Sequence, residues 1–199
     1  MSGAFPISTA KFGTLGIKSI QNTIISKTVS GKKLARQIDN QRWAFSVQII
    51  TAKRSDVYGE LMAFIIKQRS GKENFTIIPP EVEDARGTAS GTPHGTASAG
   101  DTSITLGGTG SGTLKAGDMI KFASHDKVYM VVADQSDIST GTLTIEPPLT
   151  TAVSSSDIQY DNVPFTVHLT NDVQEFGVSG ADKDGNLYYE YQFDVEESL

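Results

Sequence analysis

The chain has 199 residues, 38% of them hydrophobic, no cysteine and a formal net charge of −6. That length allows one large or two small domains with modest cores, and the low apolar share fits flat β layers better than a helical enzyme. The missing cysteines exclude disulfides and thiolate metal sites, and no apolar run reaches the roughly 20 residues that span a bilayer, so membrane insertion is not expected.

The opening residues, Met1 to Pro6, lack the basic-then-apolar order of a secretory signal. Ile17 to Val29, rich in Ile, Thr and Val, reads as a strand. Ser30-Gly31-Lys32-Lys33 breaks it, and the segment to Asn40 reads as a basic loop. From Gln41 the alternation is clear: Trp43, Phe45, Val47 and Ile49 share one face, and Arg42, Ser46 and Gln48 share the other. That period of two predicts a half-buried antiparallel strand. A helix follows, with Ser55 or Asp56 as cap, Val57, Leu61, Phe64 and Ile65 on its apolar stripe, Lys67 and Arg69 in its last turn and Gly71 as its stop. Phe75 to Ile78 is a further strand, ended by Pro79-Pro80.

At Arg86 the text changes. Gly87 to Gly112 is rich in Gly, Ser and Thr and reads mostly as loop, with one short strand at Ser103–Leu106. Short strands follow at Met119–Phe122, Lys127–Val132 and Thr142–Glu146, at the close spacing of a small barrel. Near Asp161 strands of the first type return. Val163, Phe165, Val167 and Leu169 share a face. After a turn at Ala181–Asn186, Leu187, Tyr189, Tyr191, Phe193 and Val195 oppose Tyr188, Glu190, Gln192 and Asp194. The predicted fold is mainly β: a discontinuous β-sandwich with one helix (residues 1–86 and 161–199) that carries an inserted small barrel (residues 87–160). Removing 87–160 is expected to leave the outer unit able to assemble.

Charge is distributed unevenly. Residues 1–86 hold 13 Lys/Arg against 7 Asp/Glu, hence +6; residues 87–160 hold 3 against 7, hence −4; residues 161–199 hold 1 against 9, hence −8. An acidic chain is a poor dedicated nucleic-acid binder. A basic front and an acidic end can instead attract each other, within a subunit or between neighbours.

Motifs for chemistry are weak. His94, His125 and His168 have no metal-like spacing and read as surface or loop residues. No Gly-x-Ser-x-Gly elbow is present. Asp182-Lys183-Asp184-Gly185-Asn186 opens like a calcium loop, but position 12 counted from Asp182 is Phe193, so a hairpin turn is the better reading. Gly112-Thr113-Leu114-Lys115 does not match a phosphate loop. The basic stretch Lys32 to Arg36 could meet a phosphate backbone, and a neighbouring subunit or solvent suits it better. No catalytic residue, cofactor or metal is expected.

Four segments in order carry a resemblance. They are Ile77-Ile78-Pro79-Pro80 with Arg86-Gly87-Thr88-Ala89-Ser90-Gly91-Thr92-Pro93, then Leu114 to Lys121, Lys127 to Asp134, and Thr142 to Leu149. Their order resembles distal tail proteins and related minor tail proteins of long-tailed bacteriophages. The resemblance implies a tail-tube-like β-sandwich with an inserted barrel resembling an oligosaccharide/oligonucleotide-binding (OB) fold, and a structural virion protein, not an enzyme. It implies a hexameric ring, a homohexamer at the distal end of the tail tube, joining tube to tip or baseplate. The partners would be other copies of the chain, the tail tube protein and the tip or baseplate hub proteins. DNA would pass through the lumen only as cargo, and the particle would assemble in the host cytoplasm. Candidate ring contacts are Lys32, Lys33, Arg36, Arg42, Gln48, Glu190 and Asp194. The alternative is a carbohydrate-binding module of the tail tip, with the barrel presenting Phe122, His125 and Tyr129 to a host-surface sugar.

Overall fold

The computed structural model describes residues 3–6, 11–38, 40–80 and 82–199. Strands β1 (Phe12–Ile20), β4 (Arg42–Lys53), β5 (Phe75–Ile77), β12 (Phe165–Leu169) and β14 (Leu187–Glu197) form one antiparallel sheet, in the order β1-β4-β14-β12-β5. A further strand, β13 (Gly177–Ala181), pairs with the start of β14. Trp43, Phe45, Val47 and Ile49 of β4 are buried on one face, together with Tyr191, Phe193 and Val195 of β14. The alternation in the sequence has this physical cause: one face of each strand meets the core and the other does not. Phe45 and Phe165 meet edge to face at 4.9 Å although β14 lies between their strands, so the sheet curls around its core. Leu61 and Ile65 of helix α1 (Gly59–Lys67) belong to the same core. The sandwich expected from the alternation therefore takes the form of one curled sheet with a helix in its core.

Some local expectations are corrected. Ile17 to Val29 is not one strand: β1 ends at Ile20 and β2 (Thr23–Lys27) leaves the sheet. The basic segment is not a loop. Its residues Lys33–Gln37 form β3, paired with β2 from Thr23↔Gln37 to Lys27↔Lys33, and Thr28 to Lys32 make the connecting turn. Asp39, also in that segment, lies outside the described residues. The helix is entered through a π-helical turn, Arg54–Tyr58, without a side-chain cap; Ser55 bonds its neighbour Asp56 instead. The helix stops before Gly71, where Arg69 and Ser70 take left-handed backbone angles.

The middle of the chain is a closed six-stranded barrel in the order β10-β7-β6-β11-β8-β9, consistent with the OB-like barrel expected. Its strands are β6 (Pro93–Ala97), β7 (Ser103–Gly108), β8 (Met119–Phe122), β9 (Val128–Val131), β10 (Thr142–Glu146) and β11 (Val153–Gln159). Residues 87–112 are ordered where a loop was expected. The β6–β7 ribbon continues outward with Ser90 and Ser111 exchanging two backbone bonds of 2.9 Å. Three hydroxyl pairs staple it: Thr92–Thr109 at 2.8 Å, Ser90–Ser111 at 2.9 Å and Thr88–Thr113 at 3.3 Å. The glycines serve closeness here: a Cβ on Gly112, where φ is +89°, would stand 2.1 Å from the Thr88 carbonyl oxygen. Glycine richness thus marks a tight ribbon and not flexibility.

Candidate functional site

Two regions concentrate polar side chains in defined geometry: the outward face of the sheet and its junction with the barrel. On the outward face, Lys18 of β1 donates to Ser46 at 2.8 Å and stands 3.9 Å from Asp194 of β14. Ser46 in turn donates to Asp194. Arg42 pairs with Glu196 at 2.7 Å, and Thr14 donates to Gln48 at 3.1 Å. Beyond them a groove of about 310 Å³ is lined by Gln48, Glu175, Gly177, Glu190, Tyr191 and Gln192. Four of the residues expected at subunit contacts, Arg42, Gln48, Glu190 and Asp194, therefore share this face. The other three, Lys32, Lys33 and Arg36, stand apart on the β2–β3 hairpin, where all ten strand residues are exposed.

The junction is an ionic hub that is buried. The Glu197 carboxylate accepts from the Trp43 N–H at 3.1 Å, from the Val128 N–H at 2.9 Å and from the Lys127 ammonium. Lys127 also donates to Gln41 Oε1 at 2.9 Å, and Gln41 donates to Ser19 at 3.0 Å. The Trp43 indole N–H closes the hub on the Val128 carbonyl at 3.0 Å. Burial pushes the Lys127 pKa below its ordinary 10.5, and the Glu197 charge and hydrogen bond oppose that. Four strands or strand ends from distant parts of the chain meet here. Sequence reading missed Lys127, Glu197 and Gln41. Two charged residues within apolar strand patterns were the only available signal.

Strand β9 explains how two cores become one body. Its Tyr129 and Val131 point into the barrel core, whereas Val128 is part of the sheet's core, with Met130 packed against it. β8 divides in the same way, with Met119 toward the sheet and Ile120 and Phe122 toward the barrel. The connections leave and return side by side. Ala85 N–H bonds the Tyr160 carbonyl at 2.9 Å, and Val163 N–H bonds the Glu83 carbonyl at 3.0 Å. Arg86, where the sequence changes character, donates through its backbone and its Nε to the buried Asp118 carboxylate at 3.1 and 3.2 Å. Asp118 also accepts from the Lys115 N–H at 2.7 Å, which locks the turn into β8.

The remaining candidates resolve simply. Phe122 and Tyr129 are 0% exposed, so neither offers a ring face to a sugar, and that expectation is corrected. They are barrel core because their strands alternate toward it. His125 is part-buried and bridges Ser124 at 3.1 Å and the Tyr129 hydroxyl at 2.8 Å. Burial holds its pKa below 6.5, against the pull of Asp126. His125 thus lies in the loop between β8 and β9, as expected, and is packed there by stacking on Phe122. The Asp182 carboxylate is filled by the N–H groups of Asp184 and Asn186, the Asn186 amide and Lys53. These bonds hold its pKa well below the carboxylate range and make the segment a hairpin turn. Among the described residues no cluster of His, Asp and Glu has the form of a metal site, and no helix is long and apolar enough to cross a membrane.

Residues 82–163, the barrel with both of its connections, match the family described as distal tail protein pb9, B domain. Over these 82 of the 199 residues the chain is similar to a domain of a phage distal tail protein. No curated protein matches the chain. A distal tail protein domain has a structural role in a phage tail, which is consistent with the expected absence of catalysis. The resemblance drawn from segment order is borne out over the barrel.

Proposed function

We propose that this protein is a structural component of a phage virion that forms a ring, six-membered by its family resemblance, at the distal end of the tail tube. The ring joins the tube to the tip or baseplate proteins, and DNA passes through its lumen as cargo. In this reading the discontinuous sheet unit, residues 1–86 and 161–199, builds the ring, and the barrel projects from it. Assembly takes place in the host cytoplasm. The observation that carries the proposal is the distal tail protein match over residues 82–163. Two features of the sheet support it. Its outward face is a continuous array of paired polar side chains, and among the described residues β1 is paired on one side only, by β4. A nine-residue edge strand with free backbone groups is a template for a second chain. Native mass measurement of the purified protein, alone and with isolated tail particles, tests the proposal. Closed rings are expected, and a strict monomer that never joins a particle refutes it.

A further inference from the structure

We propose that the β2–β3 hairpin is an arm that seats in the Glu175/Glu190 groove of a second copy of this chain. The inference rests on the ring reading and adds which two surfaces meet.

Among the described residues no third strand pairs with the hairpin, and all ten of its strand residues are exposed. A lone two-stranded ribbon is marginally stable in water, because it buries neither face. In this hairpin the register places Ile24 opposite Arg36 and Leu34 opposite Ser26, so Ile24 and Leu34 share a face that Ile38 extends. These three are 57%, 49% and 59% exposed. Such a patch on a projecting element marks an interaction surface. The arm also carries Lys27, Lys32, Lys33 and Arg36, and no acidic residue lies between Asn22 and Ile38. None of the four cations has an ion-pair partner among the described residues.

The groove is its complement. Glu175 and Glu190 line it with no cation on its walls, and neither has an ion-pair partner among the described residues. Val173 and Val178, both exposed, stand beside it in sequence and can meet the apolar face of the arm. Five strand residues extend about 17 Å, enough to cross a subunit boundary. The chain's own arm does not fill its own groove, since every arm residue is exposed. Arm and groove are different surfaces, so their union can run head to tail from copy to copy around a ring. A phosphate backbone or an anionic membrane also attracts four cations. An acidic groove on the same chain, with apolar residues beside it, favours a second copy.

Three arm substitutions together, K32E, K33E and R36E, test this against the groove pair E175K and E190K. Because these residues are surface residues, unchanged thermal melts serve as the check on folding. Each variant alone is expected to self-associate about tenfold or more weakly at low ionic strength, and a mixture of the two is expected to restore assembly. The chain has no cysteine, so placement can be read directly by mixing S30C and Q192C single variants under mild oxidation. A mixed disulfide dimer is expected to exceed both the S30C homodimer and the product of S30C with a remote control, S139C. A wild type that forms rings while the variants assemble unchanged and no mixed disulfide appears overturns the arm and leaves the ring standing. A wild type that stays monomeric alone and with tail particles overturns both. Loss of binding to phosphatidylserine vesicles or to single-stranded DNA in the arm variant, with assembly intact, overturns the arm in favour of that occupant.

Discussion

Replacing Lys127 with Met is the sharpest probe of the hub that ties barrel to sheet. The substitution keeps the volume of the stem and removes the charge. Glu197 then keeps two backbone donors, the N–H groups of Trp43 and Val128, but loses its cation, and Gln41 Oε1 loses the donor at 2.9 Å. Breaking one partner of a buried ion pair costs roughly 3–5 kcal/mol. The two surviving amide bonds put the expectation at the lower end, about 3 kcal/mol. For a chain of this size about 1 kcal/mol moves Tm by roughly 2–4 °C, so a fall of roughly 6–12 °C is expected. Denaturant unfolding of wild type, K127M, E197Q and the double variant completes a cycle. A favourable coupling of about 2 kcal/mol is expected, because the double variant strands no charge. Wild type should unfold in one transition, and K127M in two, as the barrel parts from the sheet. A K127M variant within about 0.5 kcal/mol of wild type, or an additive cycle, refutes the hub's role.

The ribbon at residues 87–112 is tested by Gly112→Ala, which combines a left-handed backbone with a Cβ 2.1 Å from a carbonyl oxygen; a loss of about 3 kcal/mol is expected, measured by chemical unfolding. Gly100→Ala is the control: its φ is also +89° but nothing lies within 4 Å, so only about 1 kcal/mol should go. In alkali, burial raises the Tyr58 pKa from 10.0 to about 12. Between those values the unfolded chain has lost a proton that the native one keeps, so stability falls as pH rises from 10 toward 12. Tyr58→Phe should flatten that fall in Tm measured across the window, and an unchanged slope refutes it. Finally, joining the chain across residues 87–160 should give a folded sheet unit only when Glu197 is also neutralised. Amide exchange on the paired deletions checks this, and equal protection with and without Glu197→Gln contradicts it.

Much of the sheet was legible because one-sided burial writes itself as alternation. Trp43 to Ile49 and Tyr191 to Val195 fall on the face the pattern gives. The barrel strands β8, β9 and β10 were legible for the same reason, and the change at Arg86 falls between β5 of the sheet and β6 of the barrel. Three things were not legible. Gly, Ser and Thr in residues 87–112 carry no hydrophobic period, because their strands are held by hydroxyl pairs and backbone contact. The β2–β3 hairpin reads as a loop because it buries nothing within the chain. The hub pairs Lys127 with Glu197 across 70 residues, and no local pattern announces a contact at that separation. The seven candidate contacts fall on two surfaces, one carrying Arg42, Gln48, Glu190 and Asp194 and the other the three hairpin cations.

The division of β9 between two cores bears on how such a module can be carried. A barrel on flexible tethers would leave its position to chance, and here the connections are tied by a pair of backbone bonds between 83–85 and 160–163, by the Asn162 N–H on Asp84 and by Arg86 on Asp118. Further rigidity comes from Val128, which sits in the sheet's core while its backbone N–H and C=O bond Glu197 and the Trp43 indole. A rotation of the barrel would expose Val128 and strand a buried carboxylate at the same time. Because one movement would incur both costs, the orientation is expected to be lost in a single step. Val128→Ala tests that coupling. It removes apolar volume from the sheet's core without touching the Glu197 hydrogen bonds, so about 2 kcal/mol is the expected loss from packing alone. If the hub and the packed residue act together, combining Val128→Ala with Lys127→Met should cost less than the sum of the two, since either change already frees the barrel. Strict additivity would mean that the barrel's orientation is held by something other than this strand.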